Sequence, residues 1–217
     1  MRSSHAPGGP VRTRLILVRH GQTEYNRQGR LQGQVDIPLN EAGTRQAAVL
    51  AATVAENPPD LIVSSPLERA RDTAQILANA CGLDVRTDRA FLERGFGEWE
   101  GLRGEEIRRH WPAEHADWRA HRPVTGLGVE PRPAVGERVA VACRQLVAEN
   151  TGGTVMIVAH GAAITLGVTA LLGLDADGFR GIAGLENCHR SVLEPLTSDT
   201  TGHLMRLVSH NLAPDFL

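Results

Sequence analysis

Two runs of the chain end in the same way. The apolar segment "RLILVRH" breaks off at Arg19, His20 and Gly21, and "TVMIVAHG" breaks off at His160 and Gly161. A short continuous apolar run is the pattern of a strand buried on both faces, so each histidine stands at the carboxyl end of a parallel strand. Between them, "LIVSS" ends at Ser64 and Ser65, with Arg69 one turn into the segment that follows. Glu93 lies in the loop after a third, weaker strand at about 84–91. Ligands of open α/β sheets sit outside the carboxyl ends of the strands. If these strands are neighbours, two arginines, two histidines and one carboxyl group meet in one small volume. A helix opening at Gly161 adds free backbone N–H groups and a partial positive charge there. The set suits a phosphate-sized dianion.

A lone arginine before a loop is usually solvated, and a lone histidine at a strand end is usually structural. The recurrence of an apolar run followed by His-Gly is what points to chemistry. A neutral imidazole attacks phosphorus well, and flanking guanidinium groups disfavour its protonation, which makes His20 a nucleophile near neutral pH. Attack gives a phosphohistidine. Arg19, Arg69, His160 and the amide of Asn26 are donors matched to the charged oxygens of the transition state. Glu93 fits delivery of a proton to the leaving alkoxide, and afterwards activation of the water that releases phosphate. No clustered acidic or histidine set in the sequence suggests a metal. Metal-independent phosphoryl transfer without a cofactor is the chemistry these residues can perform.

These side chains need a rigid α/β frame, and the pattern supplies one. Asn40 can cap a helix over "EAGTRQAAVLAATVAEN", which "PPD" stops before the strand "LIVSS". Ser65 followed by Pro66 reads as the cap of a helix "PLERARDTAQILANA", closed by Gly82. A helix is predicted over 134–150, another directly after His160, and two last strands, "SVLEPL" and "HLMRLVSH", read as antiparallel at a sheet edge. Residues 101–133 read as an irregular excursion over the sheet, carrying Trp111, Trp118 and clustered arginines and histidines. The start, residues 1–13, reads as a flexible polar tail, and 14–217 as a single domain.

The chain has 217 residues, 41% hydrophobic and 22% charged, in keeping with one full-sized core. Its net charge of −2 offers no basic field for nucleic acid or an anionic membrane. The basic residues are all arginine, which removes any Schiff-base lysine. Cys81, Cys143 and Cys188 match neither a disulfide framework nor zinc spacing and read as reduced core residues. There is no signal-peptide stretch and no membrane-length run, so the expected setting is the cytoplasm. The expected partner is a small phosphorylated metabolite, and a homodimer is left open.

The blocks "LVRHGQTEYN", "QGQVDIPLNEAGTRQA", "SSPLERARDTA", "ERGFGEWEG" and "VAHGAAI" stand in the order known from the histidine phosphatase superfamily, also called phosphoglycerate mutase-like. The resemblance runs from about residue 14 to 172, with a weaker match near 187–193. It implies a three-layer α/β/α sandwich with a mostly parallel central sheet. It also implies His20 as the phosphorylated nucleophile, Glu93 as proton donor, and a phosphate pocket of Arg19, Arg69, His160 and Gly161. Asn26 matches a further phosphate contact, with Thr23 close by, and Gln32 and Gly33 match a substrate contact.

The chain departs from the family pattern at two places. "AVGER", Ala134 to Arg138, replaces a "GGES"-like block, which puts the serine's contact in question. "ENCHR" places His189 and Arg190 where smaller residues are usual, either as edge-strand residues facing solvent or as an altered pocket lining. Phosphatases and cofactor-dependent phosphoglycerate mutases share the core residues. The mutases carry a longer insertion beginning "ERHYG" with a lysine soon after, whereas this chain reads "ERGFGEWEGLRGEE", which favours a phosphatase. A non-catalytic phospho-ligand binder, or a member recruited to a biosynthetic reaction, is the alternative of another class. Such proteins typically lose the nucleophile, an arginine or the acid, and none is missing. Arginines in the excursion, Arg103, Arg108, Arg109, Arg119 and Arg122 with His121, read as either a solvated face or a lid. The resemblance leaves open which alcohol is released.

Overall fold

The computed structural model describes residues 13–215. The tail expected over 1–13 therefore lies outside the described residues, except for Thr13. That residue is buried, and its hydroxyl accepts the N–H of Gly152.

Six strands form one sheet in the order β3-β2-β4-β1-β5-β6. β1 (Arg14–Arg19), β2 (Leu61–Ser64), β3 (Val85–Thr87) and β4 (Thr154–Ala159) are parallel. β5 (Arg190–Pro195) runs antiparallel to β1, and β6 (Met205–Leu212) antiparallel to β5 at the edge. The third strand is shorter than the sequence suggests. Past Thr87 the chain turns into a single 3-10 turn at Arg89–Phe91, capped by the Asp88 carboxylate on the N–H of Ala90.

Alternation along the strands builds the layers. Leu15, Leu17, Val155 and Ile157 face one way, into a core shared with Val139 and Cys143 of α6 (Arg132–Glu149) and with Ile164 and Val168 of α7 (Gly161–Leu171). Val18, Ile62, Met156 and Val158 face the other way. They meet Leu50 and Val54 of α2 (Glu41–Glu56) and Ala74 and Leu77 of α3 (Glu68–Cys81). This is the three-layer sandwich that the resemblance implies, and it explains why β1 and β4 read as unbroken apolar runs.

Helix ends follow the sequence with one correction. Asn40 caps α2 through its side chain on Gly43 N, and Gly82 closes α3 in the left-handed region at φ 68°. Ser65 does not cap α3. That helix begins at Glu68 with Leu67 at its cap position, and the Ser65 hydroxyl lies 2.8 Å from His160 Nε2.

Gly21 sits where a side chain would not fit. A Cβ there would lie 2.5 Å from the carbonyl oxygen of Gly43, and one on Gly43 would lie 2.1 Å from the carbonyl oxygen of Gln22. The two glycines let the first turn of α2 press against the tip of β1, so they set the position of His20.

The excursion is ordered rather than irregular. It contains α4 (Gly104–His110) and α5 (Pro112–Arg119), with proline in the first turn of α5. A small core of its own, around Phe96, Trp99, Ile107 and Val129, supports them, and Trp118 packs edge-on to both Phe96 and Trp99. The short, arginine-rich helices lack a long apolar stripe, which is why periodicity does not reveal them. Among the described residues, no helix is long and apolar enough to cross a membrane.

Candidate active site

Register places the two histidines side by side. Arg19 of β1 is the partner of Ala159 of β4, and His20 and His160 are the next residues on these neighbouring strands. Adjacent strands lie about 4.8 Å apart, and the imidazole centroids are 5.2 Å apart. On the other side of β4, Ser64 pairs with Val158, which puts Ser65 beside the same tip. Both histidines are buried, as are Ser65 and Arg69.

His20 has a defined tautomer. Its Nδ1 lies 2.7 Å from the carbonyl oxygen of Gly21. A carbonyl only accepts, so Nδ1 carries the hydrogen and Nε2 of the neutral ring keeps its lone pair. Burial holds the pKa of His20 well below the usual histidine value, and the charges of Arg69 and Arg19 press it lower still. His160 is held low in the same way, by burial first and then by Arg69, His20 and Arg19.

The two arginines are anchored through part of their donor set. Arg19 Nη1 donates to Leu185 O at 2.6 Å. Arg69 donates from Nη1 to Val35 O and from Nη2 to Gly33 O, each at 2.8 Å. Gly33 takes φ 54°, and a Cβ there would run into the Glu100 carboxylate. Its backbone is therefore a fixed seat for Arg69. Three buried atoms of this group, Arg19 Nε, Arg69 Nε and His160 Nδ1, have no protein partner. Burial lowers the pKa of both guanidinium groups, that of Arg69 to about 10, and Glu93 offsets part of the effect in each. Both remain cationic at neutral pH.

Glu93 reaches the same region by an unforeseen route. Its Oε1 accepts from Arg94 N at 2.8 Å and from Ala163 N at 2.9 Å, and its Oε2 accepts from Ala162 N at 3.2 Å. The N–H groups at the start of α7, read from the sequence as free for a ligand anion, hold this carboxylate instead. Carboxyl oxygens that accept N–H groups at the positive end of a helix are the expected outcome of the macrodipole.

Thr23, Asn26 and Gln32 form one chain of contacts. Thr23 caps the short helix α1 (Glu24–Gln28), its hydroxyl accepting from Asn26 N and donating to Gln32 Oε1 at 2.8 Å. The Asn26 Oδ1 accepts from Thr23 N at 3.1 Å and from Asn187 Nδ2 at 3.3 Å. The oxygen is thereby assigned to that side, and the NH₂ end is left to donate. Asn187 also donates to His20 O, which ties this chain to the backbone of His20. Gly161 lies against Arg19, whose Nε is 3.6 Å from the position of a Cβ.

Arg138 was missed as a site residue, although its place in the departing "AVGER" block marked it. It donates to Ala90 O, Leu92 O and Glu93 O at 2.7, 2.8 and 3.2 Å, and pairs with Glu130 through two nitrogens at 2.9 and 3.0 Å. A serine cannot span these acceptors; the guanidinium fork does. Arg138 therefore clamps the loop that carries Glu93. His189 does not line the pocket: its Nδ1 lies 3.0 Å from Asn211 Oδ1, on the far side of the β5 start.

Residues 15–208 match the model of the histidine phosphatase superfamily, branch 1. The chain belongs to that superfamily. Glucosyl-3-phosphoglycerate phosphatase of Mycolicibacterium vanbaalenii is 38% identical over 181 residues, covering 80% of each chain. Phosphoserine phosphatase 1 of Hydrogenobacter thermophilus is 34% identical over 182 residues, covering 83% of this chain and 85% of the other. Among solved structures, a mycobacterial glucosyl-3-phosphoglycerate phosphatase in complex with VO3 superposes with a TM-score of 0.81 at 35% identity. It covers 92% of this chain and 99% of its own. In this histidine phosphatase His20, His160, Ser65 and Arg69 are buried at the strand tips, and Arg19 and Glu93 beside them are partly exposed.

Proposed function

We propose that the protein is a phosphomonoester hydrolase that passes the phosphoryl group of a small cytoplasmic metabolite to His20 Nε2 and then to water. The observation that carries this reading is the 2.7 Å contact between His20 Nδ1 and Gly21 O, which leaves Nε2 as the unprotonated atom of a buried ring acted on by the charges of Arg69 and Arg19.

In the first step the Nε2 lone pair forms a bond to phosphorus as the bond to the substrate oxygen breaks. Arg19, Arg69 and the Nδ1–H of His160 neutralise the three peripheral oxygens, with the Asn26 NH₂ as a further donor. The departing oxygen takes a proton from Glu93. Of its two oxygens, Oε2 makes the single, longer contact, at 3.2 Å, and is the one placed to carry that proton. The Nδ1–H bond to Gly21 O stabilises the positive ring of the phosphohistidine. In the second step water attacks phosphorus, Glu93 takes its proton, the P–N bond breaks, and His20 returns to its neutral form.

The charge that a metal would bring is here supplied by two guanidinium groups. Hydrolysis of p-nitrophenyl phosphate is expected to survive EDTA, to be inhibited by vanadate, and to be lost in His20→Ala. Undiminished turnover in that variant would exclude the mechanism.

A further inference from the structure

The chain leaving β1 passes between α2 and α3, and each helix accepts one backbone N–H from it. Thr73 of α3 donates its hydroxyl proton to Arg69 O at 2.7 Å, so its oxygen is left to accept. It takes the N–H of buried Gly21 at 3.0 Å. Gln46 of α2 takes the next N–H along the chain, its Oε1 lying 2.9 Å from Gln22 N. An N–H only donates, which assigns the oxygen of the Gln46 amide to that side.

The second of these contacts bears on the chemistry. The N–H of Gln22 and the carbonyl of Gly21 belong to one planar, resonance-coupled peptide unit. That carbonyl oxygen is the one 2.7 Å from His20 Nδ1. Three groups therefore stand in series: His20 Nδ1–H donates to the Gly21 carbonyl, and the other end of the same peptide donates to Gln46 Oε1. An acceptor on the N–H draws the peptide's charge toward its oxygen, and hydrogen bonds in series strengthen one another in a low-dielectric interior. The surroundings keep the peptide from turning. Asn40 donates from its backbone N to Gln22 O and from Nδ2 to Gln22 Oε1, each at 3.0 Å. Gly43, one turn before Gln46, has no room for a Cβ against the backbone of Gln22.

We propose that Gln46 is a positioning residue for phosphoryl transfer: acting through the Gly21–Gln22 peptide, it strengthens the hydrogen bond on His20 Nδ1 and so stabilises the positive ring of the phosphohistidine. The assignment rests on the phosphomonoesterase reading and adds to it an uncharged residue of α2. The ring gains positive charge as Nε2 bonds to phosphorus and loses it as the P–N bond breaks. Removing the acceptor therefore slows phosphorylation and leaves dephosphorylation as fast as before or faster. General loosening of the site slows both steps.

The test compares Gln46→Leu, which has no acceptor, with Gln46→Glu, which keeps one. Quenched-flow with ³²P-labelled p-nitrophenyl phosphate follows nitrophenolate release in the first turnover and the rise and decay of the labelled protein. The fitted rate constants for the two steps do not depend on how much of a variant is folded. In Gln46→Leu phosphorylation is expected to slow about fivefold, the scale of one neutral hydrogen bond, with decay of the phosphoenzyme unchanged or faster. Gln46→Glu is expected to restore most of the phosphorylation rate. The proposal is overturned if Gln46→Leu slows both steps alike or neither, or if Gln46→Glu behaves as Gln46→Leu does. Wild-type protein that forms no phosphohistidine would overturn the phosphomonoesterase mechanism, and this inference with it.

Discussion

The Nε2 atom of His160 stands 2.8 Å from the Oγ of Ser65, with both side chains fully buried. The same hydroxyl oxygen accepts the N–H of Leu67 at 3.4 Å, so its one proton is free to go to the imidazole. Nε2 of His160 is then the acceptor, and the unpartnered Nδ1 carries the hydrogen. A residue that reads from sequence as a helix cap thus sets the tautomer with which, in the proposed mechanism, a neutral His160 donates to the phosphoryl group.

Ser65→Ala removes that constraint. Vanadate is expected to bind about tenfold more weakly, the scale of one buried hydrogen bond to a charged group, and KM for p-nitrophenyl phosphate is expected to rise in parallel. The check is the vanadate inhibition constant across pH, with thermal unfolding measured alongside. An unchanged constant would remove Ser65 from the mechanism.

Arg138→Met breaks the clamp on the Glu93 loop and leaves Glu130 without its cation. Loss of a part-buried pair and three backbone contacts is expected to cost about 2–4 kcal/mol of stability. Because the Glu93 backbone is released, kcat is expected to fall as well. Urea unfolding and steady-state kinetics on the same preparation separate the two effects.

The buried histidines make stability depend on pH. Their folded-state pKa values lie below the ordinary 6.5, so from pH 6.5 downward the unfolded chain binds more protons than the folded one. Stability is therefore complete above that pH and declines as the medium is acidified, by up to about 1.4 kcal/mol per pH unit for each histidine. Denaturant midpoints between pH 7.5 and 5.5 measure the slope. His20→Gln is expected to flatten it, and an unaltered slope would assign the titration to other groups.

Glu93→Gln keeps an oxygen for the N–H groups of Arg94 and Ala163 but cannot deliver a proton. For alkyl phosphates the rate is expected to drop by about 10²–10⁴, the usual value of general acid catalysis. For p-nitrophenyl phosphate, whose phenolate leaves without help, the drop in the phosphorylation step is expected to be much smaller. Stopped-flow release of nitrophenolate, set beside phosphate release from glycerol 3-phosphate, reads the difference. Equal losses would place Glu93 outside proton transfer to the leaving group.

Local pattern made most of this architecture legible, and tertiary competition hid the remainder. The apolar runs of β1 and β4 identify buried parallel strands because both faces are covered, and from that the pairing of His20 with His160 follows. Asn40 and Gly82 announce helix ends through backbone chemistry that depends little on surroundings. Ser65 misleads because a serine before proline has the same local signature whether it caps a helix or serves a histidine across the sheet. The Gly21–Gly43 contact, the seat of Glu93 on α7 and the Arg138 clamp join residues far apart in the chain, and no periodicity encodes them. The helices over 104–119 are short and arginine-rich, so their helical character comes from packing around Trp99 and Trp118.

The most direct test of the central claim is the identity of the phosphorylated atom. Protein quenched in alkali during turnover of ³²P-labelled substrate is digested, and the labelled amino acid is identified. Label on His20 as Nε2-phosphohistidine, absent in His20→Ala, is the expected result, because Nδ1 is committed to Gly21 O. Label on Nδ1 or on another residue, or turnover with retained configuration undisturbed in His20→Ala, would contradict it.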